Sequence, residues 1–183
     1  GLAGDGDQEV PMTVGPDGTI YVKRDGGPLY ALTDTGAGFS IKWTSSVGLV
    51  FYSGHMGVGV DGSVYIADGA QLARLDPATG DELDRSANLV STSTLNPRFV
   101  IDPAGTLFVG NGGSNDGRLF SLAPDLTENW SVLVPGLTRG GPAMGRFGTL
   151  VIAGRDFELM AFRSDGTDVV DATPAPFGLS VWP

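Results

Sequence analysis

The sequence predicts an all-β protein made of four repeats, and three observations indicate this fold class. A glycine followed by Thr or Ser recurs four times, at spacings of 44, 43 and 43 residues, and a fixed period is typical of repeat architectures. The segment after each glycine is rich in the β-branched and aromatic residues that strands prefer. No stretch carries the i, i+3, i+4, i+7 apolar pattern of an amphipathic helix. The four glycines are Gly18, Gly62, Gly105 and Gly148.

Each repeat has the same internal order of four short strands joined by tight turns. The first strands are expected at Val10–Val14, Met56–Val60, Arg98–Ile101 and Ala143–Gly145, and the second at Thr19–Val22, Ser63–Ile66, Thr106–Val109 and Thr149–Ile152. The third strands are expected at Leu29–Leu32, Leu72–Leu75, Leu119–Leu122 and Leu159–Phe162. The short outer fourth strands are expected at Ile41–Trp43, Glu82–Asp84, Glu128–Trp130 and Asp168–Val170.

In two repeats an Asp-Gly pair marks the turn between the first and second strands. Asp17-Gly18 and Asp61-Gly62 each stand between two apolar strands. Asp-Gly is the strongest short signal for a two-residue hairpin, because both residues tolerate positive φ. We therefore expect a hairpin turn at each pair.

A single four-stranded meander has two apolar faces that it cannot bury alone. Radial stacking of such sheets buries both faces, which is the arrangement of a β-propeller. A β-sandwich uses similar strands but gives no reason for a strict period. We therefore predict a β-propeller of four-stranded antiparallel blades. The blades are expected at about residues 10–53, 54–95, 96–138 and 139–170, between an N-terminal extension (1–9) and a Pro-rich C-terminal tail (171–183).

The repeats resemble those of the quinoprotein (pyrroloquinoline quinone-like, PQQ-like) β-propeller family. The first repeat carries the likeness in Gly18–Val22, Leu29–Leu32, Thr35-Gly36 and Ile41–Trp43, and the second in Leu72–Asp76 and Ala78–Gly80. The resemblance spans about residues 10–170. It is specific for the repeat and not for a function, since the same repeat serves dehydrogenases, assembly scaffolds and other secreted proteins.

The resemblance implies that a tryptophan at the end of each repeat docks between neighbouring blades. Trp43 and Trp130 match that position, whereas Asp84 and Val170 stand near it in the second and fourth repeats. The fourth repeat also lacks the Leu-Tyr-Ala-Leu match and is the most degenerate.

Propellers of this family usually close with seven or eight blades, and this chain has four repeats. Three arrangements are therefore open. The chain is part of a larger propeller, or two copies associate into an eight-bladed ring, or the four blades close alone. An open array would leave an apolar blade face at each end.

Composition excludes several classes of protein. The net charge is −10 and the 11 Lys and Arg residues are scattered, so we expect no nucleic-acid binding and no attraction to anionic membranes. The absence of Cys excludes disulfides and thiolate metal sites. No apolar run approaches about 18 residues, so we expect no membrane insertion. The chain begins at Gly1 without an initiator Met or signal peptide, and we expect a processed chain or part of a longer one.

Four residues near the inner strands are the candidate ligand site. His55, Arg98, Arg139 and Arg146 fall near the starts of inner strands, and a cluster of them at one mouth of the channel would attract an anionic ligand or an acidic peptide. The alternative is a set of separate, solvated side chains that balance the negative chain. Nearby apolar residues are expected in the core or the channel lining: Met12, Met56, Phe99 and Met144.

Neither a metal nor a cofactor is expected. The polar turn Asn111–Gly117 and the segment with Asp5, Asp7 and Glu9 offer oxygen ligands for Ca²⁺, but the residue order of a calcium loop is missing. A dehydrogenase of the quinoprotein family would bring a vicinal Cys pair, a Trp platform and a Ca²⁺ site, and this chain has no Cys.

No catalytic constellation stands out, since the chain has one histidine and no Gly-x-Ser-x-Gly turn. The sequence therefore favours a non-enzymatic β-propeller module for protein or ligand binding or scaffolding, in an extracellular or periplasmic location. The alternative is a fragment of a quinoprotein-type oxidoreductase or of a carbohydrate-active propeller enzyme. The partners expected are a protein, a saccharide, a second copy of the chain or a complementary propeller fragment.

Overall fold

The computed structural model describes residues 11–23, 27–47, 55–89, 97–111, 117–134, 141–153, 159–165 and 169–170. Within these ranges the regular structure is entirely β-strand. The strands form four antiparallel sheets of four strands each, and every sheet draws its strands from one sequence repeat. The all-β, four-bladed prediction is thereby confirmed.

The first blade contains β1 (Met12–Val14), β2 (Ile20–Lys23), β3 (Leu29–Asp34) and β4 (Phe39–Ser45). The second contains β5 (Met56–Val58), β6 (Val64–Asp68), β7 (Gln71–Leu75) and β8 (Glu82–Arg85). The third contains β9 (Arg98–Ile101), β10 (Leu107–Gly110), β11 (Arg118–Leu122) and β12 (Glu128–Leu133). The fourth contains β13 (Ala143–Met144), β14 (Leu150–Ala153), β15 (Leu159–Phe162) and β16 (Val169–Val170).

The turn from the first to the second strand differs from the expected two-residue hairpin. In the first blade Gly18 N donates to Gly15 O at 3.0 Å, and Gly15 N donates to Thr19 O at 2.8 Å. Gly18 has φ +81, while Leu126 is the sole non-glycine residue with positive φ in the described ranges. The geometry is therefore a three-residue turn closed by a left-handed glycine. The hairpins predicted at the two Asp-Gly pairs are present, and in each pair the glycine has positive φ while the aspartate does not.

The side chain of the turn aspartate supports this geometry in the first two blades, whereas the fourth blade makes the same turn without an aspartate. The Asp17 carboxylate accepts from both the backbone N and the Oγ1 of Thr19, at 3.0 and 2.8 Å, and Asp61 binds Ser63 in the same way. These bonds fold the aspartate over the following residues, which is the local pattern of an Asx turn. In every blade the Thr or Ser after the glycine belongs to the turn, and each second strand begins one residue later than predicted.

Neighbouring blades stack face to face with their first strands side by side. Strand β1 contacts β5, and β5 contacts β9. Three buried apolar clusters join consecutive blades, and each cluster combines side chains of one blade with those of the next. The described blades form an open arc and do not close into a ring.

The first and second blades dock through Trp43, at the position that the resemblance indicates. The Trp43 Nε1 donates to the carbonyl of Pro77, in the turn between β7 and β8, at 2.9 Å. The ring of Trp43 lies over Gly80, where an added Cβ would stand 2.5 Å from it. Gly80 has φ +79, so both the backbone and the space above it favour glycine.

The second blade lacks this tryptophan and docks through Tyr65 of its second strand. Register places Asp84 opposite Arg74, as Trp43 is opposite Ala31, and Arg74 binds Asp84 at 3.0 Å. The Tyr65 Oη instead donates to the carbonyl of Pro124, in the turn of the third blade, at 2.9 Å.

Leu126 fills the second interface at the place where Gly80 stands in the first. Both residues end the turn between the third and fourth strands with positive φ, +67 for Leu126. Leu126 is 3% exposed and belongs to the cluster that contains Tyr65. Gly80 thus packs under Trp43 in the first interface, whereas the larger Leu126 packs in the cluster of Tyr65 in the second.

Candidate ligand site at the inner rim

Two of the predicted site residues meet at one rim of the stacked blades. His55 directly precedes β5, and Arg98 is the first residue of β9. Because β5 and β9 are adjacent and begin at the same edge, their first residues lie close together. Both side chains are exposed.

Phe99 fixes the orientation of the His55 ring. The Phe99 ring meets it edge to face, with centroids 4.7 Å apart and an interplanar angle of 80°. The backbone N of Phe99 donates to His55 Nδ1 at 3.4 Å, while His55 O accepts from Ala67 N at 3.0 Å. An accepting Nδ1 belongs to the tautomer that carries its proton on Nε2, so Nε2–H is the donor that His55 presents.

The electrostatics of the rim keep His55 neutral. Partial burial of the ring against its neighbours lowers the pKa of His55 below its ordinary value of 6.5, and the positive charge of Arg98 lowers it further. At neutral pH the rim therefore presents one guanidinium charge and one neutral imidazole donor. Arg98 can bind carboxylate or phosphate oxygens in a bidentate manner, and the imidazole can add a single hydrogen bond.

The fourth repeat passes closely over Arg98. A Cβ on Gly141 would stand 2.8 Å from the Arg98 Cβ, so glycine permits this approach. Sequence reasoning missed Gly141, because a glycine gives no signal of which side chain its backbone approaches.

Arg146 does not belong to this rim. It lies in the turn between β13 and β14, at the opposite end of the blade from the start of its first strand. There its Cζ lies 5.4 Å from the ring centroid of the exposed Phe147. The structure thus differs from the expected cluster, because β13 has only two residues and Arg146 takes the turn position that Pro103 holds in the third blade. Arg139 lies outside the described residues.

The apolar residues of the first strands pack between blades. Met56 and Phe99 are 6% and 4% exposed, and each sits in a cluster with the preceding blade. Met12 holds the same register position in the first blade but is 69% exposed. Met144 pairs with Leu150 and lies two residues further along its strand than this position.

The polar turn proposed for Ca²⁺ is only partly described. Asn111 serves the hairpin: its Nδ2 donates to Leu89 O at 3.0 Å, and its Oδ1 accepts from Arg118 N at 2.8 Å. Residues 112–116 and the segment with Asp5, Asp7 and Glu9 lie outside the described ranges. Among the described residues, no group of three or more His, Asp or Glu side chains is placed to hold a metal ion. The same part of the chain contains no helix with the length and apolarity of a membrane span.

Comparisons with known proteins bear on the fold. No family model matches the sequence, and no curated protein matches it. BamB from Moraxella catarrhalis is 19% identical with a TM-score of 0.61, over 92% of this chain and 48% of that chain. A candidate 6-phosphogluconolactonase from Bacteroides uniformis is 12% identical with a TM-score of 0.70, over 91% and 54%.

An extracellular domain of a candidate one-component system from B. thetaiotaomicron is also similar in structure. It is 14% identical with a TM-score of 0.58, over 92% of this chain and 25% of that chain. The chain therefore spans about half or less of the solved chains named here. Identities this low show the fold alone, and the fold that these structures share with the chain is the β-propeller.

Proposed function

We propose that the chain is a non-enzymatic binding module of the quinoprotein-like propeller type that acts outside the cytoplasm. Its rim at His55 and Arg98 binds an anionic group of a protein or saccharide partner. The observation that carries this proposal is the pairing of a cationic guanidinium with a neutral imidazole donor on one exposed edge. The rest of the chain is acidic, with a net charge of −10, so a cationic spot at the rim is a local exception that orients an anion.

Two further observations support the location and the class. Secreted proteins are among those that carry this repeat, as the resemblance implies. The extracellular domain from B. thetaiotaomicron has a similar fold. Fold alone assigns no function, so the proposal depends on the rim chemistry.

Titration with an acidic peptide tests the rim. A hexaglutamate peptide added to the labelled protein is expected to shift the His55 imidazole signals in NMR spectra. Arg98→Gln is expected to weaken binding by about tenfold or more, since a charged hydrogen bond contributes about 1.5–3 kcal/mol. Arg146→Gln is the matched control, because Arg146 lies at the opposite end of its blade. Equal affinities of Arg98→Gln and the unchanged protein would contradict the proposal.

The alternative is an enzyme fragment, and one comparison favours it. The candidate 6-phosphogluconolactonase, an enzyme by its name, has the highest TM-score of the three structures named above. A thermal-shift screen separates the two functions. We expect no shift with pyrroloquinoline quinone plus Ca²⁺ and none with a panel of uncharged sugars and sugar lactones. A reproducible rise in melting temperature with either, accompanied by turnover, would overturn the non-enzymatic assignment.

A further inference from the structure

His55 is tied to the neighbouring blade through an acceptor nitrogen. Its Nδ1 accepts from the backbone N of Phe99 at 3.4 Å, and the Phe99 ring meets the imidazole edge to face. A neutral imidazole has one acceptor nitrogen, whereas an imidazolium has none, because both of its ring nitrogens carry a proton. Protonation of His55 would therefore set the new Nδ1–H against the Phe99 N–H, and this contact would change from attractive to repulsive.

Arg98 is the cation that a charged His55 would meet. The two residues hold the same place in consecutive blades, since each precedes the first-strand residue that pairs with the third residue of the second strand. The two first strands, β5 and β9, are in contact. A proton on His55 would thus place two positive charges side by side at one rim, where they repel each other.

The other described charged groups on the surrounding strands do not balance a charge on His55. The Asp68 carboxylate follows the residue bonded to the His55 carbonyl, and Arg85 binds it at 2.8 Å. Lys23 at the corresponding place of the first blade and Arg118 on β11 are both cations. Burial lowers the pKa of His55 and the charge of Arg98 lowers it further, while no described carboxylate raises it. The rim by itself therefore opposes protonation of His55.

A bound oxyanion reverses this balance. Its negative charge would lie between the guanidinium of Arg98 and the imidazole of His55, so it would attract a proton to the ring instead of repelling it. Its oxygens can accept from the guanidinium in a bidentate manner and from the imidazolium N–H. The imidazolium thereby gains an acceptor for a proton that has none when it faces the Phe99 amide.

We propose that the rim binds its oxyanion together with one proton, which His55 takes up from the solvent, so that the affinity rises as the pH falls. This inference rests on the proposed function of the rim and adds the regulation of that site. Linkage makes the effect reciprocal: an anion that raises the proton affinity of His55 is itself bound more tightly by the protonated protein, and by the same factor.

Titration calorimetry with inorganic sulfate tests the coupling. Sulfate is a suitable probe because it stays fully ionised throughout the range in which histidine titrates. Titrations at about pH 6 in two buffers with different heats of ionisation measure the protons exchanged on binding, and we expect a net uptake. We also expect the affinity to be at least about fivefold higher at about pH 5.0 than at about pH 7.5.

NMR titration of the unmodified protein gives an independent measure. Saturating sulfate should raise the titration midpoint of His55 by at least the logarithm of the same factor. The amide signal of Phe99 should titrate with the midpoint of His55, because its hydrogen bond to Nδ1 is lost on protonation. A midpoint that sulfate leaves in place or lowers would overturn the proposal, whether or not any variant folds.

His55→Asn is the matched variant for the calorimetry. Its amide oxygen can accept from the Phe99 N–H as Nδ1 does, but it does not titrate. We expect it to bind sulfate with little proton uptake and with an affinity that changes by less than about twofold over the same pH range. The remaining change measures the general titration of the acidic chain.

Arg98→Gln separates the coupling from the binding site itself. If Arg98→Gln weakens sulfate binding while His55→Asn and the unmodified protein take up equal numbers of protons, the coupling is wrong and the site remains. If Arg98→Gln leaves the affinity unchanged at both pH values, the rim is not the binding site and the coupling is lost with it.

Discussion

Gly36 and Gly80 both lie in turns between third and fourth strands, but the turn of the first blade is longer and the two glycines have different surroundings. Both have positive φ, so any other residue strains the backbone there. Only Gly80 has the Trp43 ring above it, whereas the space above Gly36 is open. Substitutions at these two glycines therefore separate the cost of backbone strain from the cost of disturbing the contact between blades.

Alanine at each glycine makes this separation measurable. Gly36→Ala should lower the free energy of unfolding by about 1–2 kcal/mol, the typical strain of a left-handed non-glycine residue. Gly80→Ala should lower it by about 1–3 kcal/mol more, since the methyl group would displace the Trp43 ring and overpack the interface. Urea denaturation measures both values. Equal losses for the two variants would contradict the docking of Trp43 on Gly80.

His55 gives the rim a dependence on pH. Its folded pKa lies below 6.5 because of burial and Arg98, whereas an unfolded histidine titrates at about 6.5. A depressed folded pKa means that the unfolded state binds the proton more readily. The resulting stability is present above about pH 6.5 and is lost as the pH falls below it toward the folded pKa.

Two measurements check this expectation. NMR titration should place the midpoint of His55 below 6.5, and Arg98→Gln should raise it because the neighbouring charge is removed. Denaturation at about pH 7.5 and pH 5.5 should show a loss of stability that His55→Gln does not share. A His55 midpoint above 6.5 would be inconsistent with the geometry of the rim.

At the scale of single elements, the turn that ends at Leu126 shows how one interface adapts. A leucine with φ +67 is strained by about 1–2 kcal/mol, and its burial between the second and third blades offsets the strain. In the second blade Asp84, which is paired with Arg74, stands where the first blade has Trp43. The tryptophan of the first interface therefore has no counterpart here. The strained leucine and the Tyr65 hydrogen bond to Pro124 occupy this interface instead.

Leu126→Gly tests that compensation. The substitution relieves the backbone strain but removes a buried leucine side chain, which typically costs about 3–5 kcal/mol. We expect a net loss of about 1–4 kcal/mol in the free energy of unfolding. Leu83→Gly is the control, because Leu83 lies on β8 of the second blade and is 47% exposed. A stabilising effect of Leu126→Gly would show that the side chain fills no interface.

The elements also show what sequence could and could not predict. The glycine period predicted the order of the strands. The sequence also predicted that Asp84 and Val170 stand near the place on the fourth strand where the first repeat has its tryptophan. The length of the turn was missed because one left-handed glycine closes a three-residue turn in every blade, and the Asp-Gly pair alone does not distinguish this turn from a two-residue hairpin. Arg146 was misplaced because the fourth repeat is degenerate and its first strand is short.

At the scale of the whole molecule, the blades repeat one register with different contacts at each interface. Trp43 over Gly80 joins the first pair, and Tyr65 with Leu126 joins the second. The third pair uses Trp130, whose ring lies 6.0 Å from that of Phe108 in the cluster shared with the fourth blade. Such interfaces between neighbours, summed along the array, are what stabilise repeat proteins. His55 and Arg98 belong to different blades, so their pairing depends on this stacking. The sequence period alone does not predict which rim residues meet.

The repeats are blades, and an aromatic ring on one blade docks on a turn of the next. The contact between Trp43 and Gly80 is the decisive test of this docking, because these residues are far apart in sequence and belong to different blades. In NMR spectra of the full chain we expect nuclear Overhauser effects from the Trp43 ring to the Gly80 α-protons. We also expect the Trp43 indole proton, held by Pro77 O, to exchange at least about tenfold more slowly than a free indole. Absence of the Gly80 contact together with free exchange of the indole would contradict the docked-blade structure.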